Sequence, residues 1–128
     1  MIKNKLKQLW DEGKPAINGW LSTSSPFVAE IMAAQGYDAL TIDCQHGFVA
    51  YEAATGMLQA MRASGVVPMV RVPWLDPGDI MKAMDAGAYG IICPMISSFF
   101  FFTKSQTKTN TTMLFPHLQQ ICCSKRGS

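Results

Sequence analysis

Four short apolar runs recur along this chain at a spacing of roughly 25 residues, the first three each followed by a stretch whose apolar residues fall at helical intervals. The runs are Ala16–Leu21, the stretch opening at Ala39, Val66–Pro73 and Gly90–Met95. Helical patterning occupies residues 2–12, the segment from Pro26 to Gly36, residues 51–63, and the segment from Pro77 to Gly87. Parallel strands need a long crossover between them, so strand–helix alternation predicts βα units and a parallel sheet.

The helix boundaries carry their own chemistry. Ser25-Pro26 and Asp76-Pro77 each place a capping oxygen before a first-turn proline, where a missing N–H costs nothing. Gly13, Gly36 and Gly87 end the helices. The spacing predicts inward faces of Leu6, Leu9 and Trp10; of Phe27, Ile31 and Ala34; of Tyr51, Ala54, Leu58 and Met61; and of Ile80, Met81 and Met84.

The second strand breaks off into Asp43-Cys44-Gln45-His46-Gly47. Asn18 and Ser22, Arg71, and Pro94-Met95 fall at or just past the ends of the other runs. Polar groups gathered at the carboxyl ends of parallel strands mark the catalytic face of a (β/α)₈ barrel. No glycine-rich phosphate loop follows the first strand, which disfavours a dinucleotide fold. A full barrel takes about 250 residues. The expectation is therefore an α/β chain forming the N-terminal half of a (β/α)₈ TIM barrel, about four βα units, truncated.

Charge divides the chain. Residues 1–98 hold all nine acids and seven of the eleven Lys/Arg, a balance of −2, whereas 99–128 hold four bases and no acid. The basic N-terminus runs into Asp11 and Glu12 instead of an apolar core, so no secretory signal is read, and no apolar run approaches the ~18 residues of a membrane span. Cys44, Cys93, Cys122 and Cys123 lack zinc-ligand spacing, and the first two read as reduced core thiols. These features predict a cytoplasmic protein with neither membrane nor nucleic-acid partners.

The runs Gly19-Trp20-Leu21-Ser22 with Ser25-Pro26, Ile42 to Gly47, Pro68 to Pro73 and Ala86 to Met95 resemble successive blocks of the HpcH/HpaI aldolase family. The resemblance covers roughly residues 5–98 and implies a metal-dependent, pyruvate-using aldolase. Such an enzyme interconverts 4-hydroxy-2-oxo acids with pyruvate and an aldehyde. It implies that His46 is the acid or base, that Arg71 holds the pyruvate carboxylate and steadies the enolate, and that Asp43 supports both. Trp20 and Gln45 are implied to line the substrate, and Asp85 to pair with the catalytic His. Asp85 ends the helix before the fourth strand, so it is expected at the opposite end of the sheet from His46, its partner lying in another subunit. Family members are usually hexamers. The chemistry fits: imidazole changes charge near neutral pH, and a guanidinium is a permanent forked donor for a carboxylate. Without the resemblance, Arg71 reads equally well as a salt-bridge residue and Asp76 as a cap.

The resemblance also implies Mg²⁺, Mn²⁺ or Co²⁺ held by a Glu and an Asp from later strands. Residues 99–128 contain neither residue type, so no metal ligand is assigned. Four phenylalanines and a polar run stand there instead, read as an unrelated basic tail of low structure from a frameshift or mispredicted exon. Truncation leaves the first and fourth strands with unpaired edges. Two alternatives accompany the aldolase reading: a non-catalytic half-barrel that assembles with another chain, and a citrate-lyase-β-like CoA-ester lyase. The Gln-His-Gly and Arg-Val-Pro blocks resemble the aldolase branch more closely.

Overall fold

The structure is a computed structural model that describes residues 4–95 and the strand backbone at 112–114 and 120–124. Helix α1 (Lys5–Asp11) precedes β1 (Asn18–Leu21), α2 (Pro26–Ala33), β2 (Ala39–Asp43), α3 (Tyr51–Ala60), β3 (Val67–Arg71), α4 (Pro77–Ala86) and β4 (Gly90–Pro94). A 3₁₀ turn at Met61–Ala63 extends α3. Strands β1 to β4 are parallel and lie side by side in chain order, with Asn18 beside Ala39, Ala39 beside Val67, and Met69 beside Gly90. The alternation read from the sequence is present element for element.

Caps form as the residue types dictate. Ser25 accepts from the Val28 N–H at 3.3 Å, and Asp76 from the Asp79 N–H at 3.0 Å. Gly87 closes α4 in the left-handed region at φ 118°, which a side-chain-bearing residue would resist.

The sheet has two covered faces. Leu40, Ile42, Val70, Val72, Ile91 and Cys93 pack with α2, α3 and α4 in the main core. On the reverse face, Ala39, Val67, Met69 and Ile92 pack under Leu6 and Trp10 of α1. Successive residues of a strand point to opposite faces, so Trp20, Thr41, Asp43 and Arg71 share the α1 side, nearer the carboxyl ends.

Three of the expected helix faces are corrected. In α2, Ala29 and Ala33 are buried while Phe27 and Ile31 are 69% and 46% exposed. The helix sits close to α3: a Cβ on Gly56 would come within 3.3 Å of the Pro26 ring, and only small residues fit such an approach. In α3, Met57 joins Ala54 and Leu58 in the core, and Tyr51 points outward, its hydroxyl donating to the Lys82 carbonyl at 3.2 Å. In α4, Ala83 is the buried residue, Ile80 and Met84 flank the core, and Met81 is exposed.

Two further expectations change. Asn18 opens β1 instead of lying at its carboxyl end. The outer edge of β4 is paired: β6 (Gln120–Ser124) runs antiparallel to it, with Gly90 opposite Ser124 and Pro94 opposite Gln120, and β5 (Thr112–Leu114) pairs with β6. Residues 99–128, read as a tail of low structure, thus contribute two strands; the rest of that segment, including the four phenylalanines, lies outside the described residues. No helix among the described residues is long and apolar enough to cross a membrane.

Candidate active site

Asp43 ends β2 and Arg71 ends β3, directly beside each other in the parallel register. Their side chains form a two-bond fork, Nε to Oδ1 at 2.8 Å and Nη2 to Oδ2 at 2.6 Å. The Asp43 side chain is 6% and the Arg71 side chain 13% exposed, so little water screens the pair. Asp43 Oδ1 also accepts from the backbone N–H of Gln45 at 3.1 Å and of His46 at 3.2 Å. Burial would raise the Asp43 carboxyl, but the Arg71 bonds, the two backbone N–H groups and the guanidinium charge together hold it below its ordinary value.

The loop after β2 is built around that carboxylate. Gly47 passes so close that a Cβ there would meet the Asp43 carbonyl oxygen at 2.3 Å and Ser22 Cα at 3.1 Å. Glycine is needed here for close approach. The Phe48 N–H donates to the Ser22 carbonyl at 3.0 Å, and the Ser24 hydroxyl bonds the Phe48 carbonyl, tying the loop to the end of β1. His46 is joined to the pair through its backbone, and its imidazole stands exposed at the carboxyl end of the sheet.

On β1, the Trp20 ring centroid lies 4.7 Å from the Arg71 guanidinium carbon, a cation–π distance. One layer further in, the buried Thr41 hydroxyl donates to Asn18 Oδ1 at 3.0 Å. Thr41 was not among the sequence candidates; its only signal was a hydroxyl in an otherwise apolar strand. Of the predicted site residues, Asp43, Gln45, His46, Arg71 and Trp20 come together. Asp85 does not: it is exposed near the carboxyl end of α4, at the far end of the sheet.

Two thiols, half-buried Cys44 and buried Cys93, lie on the helix side of the sheet. Cys44 is pushed up to about 11 by burial and then by Asp43 and Asp79, and Cys93 to about 11 by burial alone, so both stay protonated and inert at neutral pH. Cys44, Tyr51, Leu58, Val70, Asp79 and Ala83 help line a cavity of 210 Å³ between α3 and α4, on the helix side and away from the Asp43–Arg71 fork. A divalent cation needs oxygen donors at liberty to bind it. Among the described residues no three His, Cys, Asp or Glu side chains cluster to offer them, and Asp43 is already spent on Arg71.

A parallel α/β sheet whose charged groups converge beyond its carboxyl strand ends is the layout of a ligand-binding or catalytic α/β protein. The chain belongs to the HpcH/HpaI aldolase/citrate lyase family, whose profile matches residues 17–104. It is 45% identical over 95 residues to a hydroxypyruvate/pyruvate aldolase of Rhizorhabdus wittichii, covering 74% of this chain and 38% of that one. A 4-hydroxy-2-oxo-heptane-1,7-dioate aldolase of Salmonella dublin is 33% identical over 97 residues, 76% of this chain and 37% of that protein. Among solved structures, a family member from Burkholderia cenocepacia J2315 superposes with TM-score 0.68 at 36% identity, covering 75% of this chain and 38% of that one. The citrate synthase SbnG superposes with TM-score 0.69 at 32% identity, over 75% and 39%. The chain spans less than two fifths of the length of the curated relatives named here.

Proposed function

We propose that the chain carries the carboxylate-binding and acid–base half of a pyruvate-aldolase site. Residues 1–98 would form the N-terminal half of a (β/α)₈ barrel. The observation that carries this reading is the buried Asp43–Arg71 fork, placed beneath the His46 loop at the carboxyl end of a parallel sheet. Asp43 takes two of the five guanidinium N–H groups and leaves three for an incoming 2-oxo acid. Retro-aldol cleavage then needs a base to remove the C4 hydroxyl proton. As the aldehyde carbonyl forms, the C3–C4 bond breaks and its electron pair becomes the enolate of pyruvate, which is protonated at C3. His46 is exposed where it can exchange protons with substrate or water, and Arg71 supplies fixed positive charge beside the enolate. The relatives' names support 2-oxo acid and aldehyde substrates. Asp85 would reach such a site only in a neighbouring copy of the chain.

Pyruvate binding tests the reading. Titration with pyruvate should perturb the Arg71 side-chain resonance saturably and should fail to do so in Arg71→Ala. Absence of saturable binding would reject it. With Mn²⁺ or Co²⁺ added, the chain by itself should not exchange the pyruvate methyl protons with D₂O above the background rate; exchange would mean that it holds a complete site.

A second reading is a non-catalytic half-barrel that works by assembly. The pairing of β6 along β4 favours its non-catalytic part, because that edge is then closed to the parallel strand that would continue a barrel. A monomer with no partner and no pyruvate binding would be inconsistent with both readings.

A further inference from the structure

Asp43 and Arg71 lie on adjacent strands, and Trp20 stands one strand further over on the same face, so a guanidinium rooted on β3 is held from β2 and β1 at once. The two-bond fork fixes the guanidinium along its own plane, but a planar pair of that kind can still swing like a hinge about the line joining the carboxylate oxygens. A ring lying against one face stops that swing. We propose that Trp20 is a positioning residue for Arg71: its indole sets the tilt of the guanidinium that Asp43 has forked, so that the Nη1 edge is the one turned toward an incoming carboxylate.

Three observations support this over core filling. Trp20 is 43% exposed and belongs to neither hydrophobic cluster, so it adds little to the packed interior. Nε and Nη2 are both engaged by Asp43, whereas Nη1 has no protein partner among the described residues. Glycine at 47 and the backbone donors of Gln45 and His46 fix the carboxylate, which leaves tilt as the remaining freedom of the pair. The identity of the anion rests on the aldolase reading above; the clamp does not.

The test is nitrogen-edited NMR of the whole chain, with the Arg71 Nε–H signal assigned by its loss in Arg71→Lys. In the wild type it should be shifted upfield by the indole and show a nuclear Overhauser contact to the Trp20 ring. Trp20→Leu should abolish the shift and speed Nε–H exchange by about tenfold, and Trp20→Phe should keep part of both, as a smaller ring would. Unchanged Ile42 and Val70 amides verify that the sheet is intact. Should Trp20→Leu fail to fold, Trp20→Phe alone decides: a signal identical to wild type overturns the proposal. Exchange and shift unaltered in Trp20→Leu overturn it as well. Pyruvate added afterwards separates the two readings, since a clamped Arg71 that ignores pyruvate counts against the aldolase site and not against the clamp.

Discussion

Gly47 and the Asp43 carbonyl oxygen are so close that a methyl group on Gly47 would lie 2.3 Å from that oxygen. The obstacle is backbone, which cannot swing aside as a flexible side chain would. Gly47→Ala should therefore move the loop and cost about 1–3 kcal/mol. Urea denaturation would measure it, and the Gln45 and His46 amides should lose their shared bond to Asp43 in the same variant.

Removing one member of the fork should cost more than removing both. Asp43→Ala leaves the Arg71 side chain, 13% exposed, without its counter-charge, for which about 3 kcal/mol or more is the usual scale. The double variant Asp43→Leu with Arg71→Leu should recover most of that loss. Chemical denaturation of the two singles and the double closes the cycle, and equal losses in all three would contradict a coupled pair.

Acid should weaken the fold through the same carboxylate. The Asp43 carboxyl is lowered in the folded chain, so its contribution is complete above the unfolded value of about 3.9 and fades as pH falls through the folded one. Urea midpoints taken from pH 7 to pH 2 should fall for wild type below about pH 4 and fall less for Asp43→Asn.

Cys44 and Cys93, both pushed up to about 11, should resist alkylation at pH 8 in the folded chain and react once urea exposes them. Peptide mapping by mass spectrometry reads the two sites separately from Cys122 and Cys123.

The corrected face of α2 gives a paired prediction. Ala29→Leu forces bulk into a fully buried position and should destabilise by about 1–3 kcal/mol, whereas Phe27→Ser, on a residue 69% exposed, should stay within about 0.5 kcal/mol. Thermal melts distinguish them, and the reverse order would restore the face read from periodicity.

That reversal shows where the sequence was informative. Strand runs, capping Ser25 and Asp76 and the stop at Gly87 are local signals, and each appears where local chemistry put it. The convergence of Asp43, His46 and Arg71 was legible because parallel strands in chain order bring their carboxyl ends together. What periodicity could not weigh was distance between layers. Alanine scores weakly as a core residue, yet α2 buries Ala29 and Ala33 where its Pro26 end packs closely on α3, and the larger Phe27 is turned out. Trp20 against Arg71 was equally hidden, since a contact across three strands has no sequence spacing.

The reversed direction of β6 has a consequence for how the sheet could grow. Among the described strands, the outermost are β1 and β5, each with a neighbour on one side only. The two edges differ in kind: β1 borders a parallel ladder, whereas β5 belongs to an antiparallel pair. Two copies meeting at β1 about a two-fold axis would lay their β1 strands antiparallel and use up that edge on both, leaving only the antiparallel β5 edge open on each molecule.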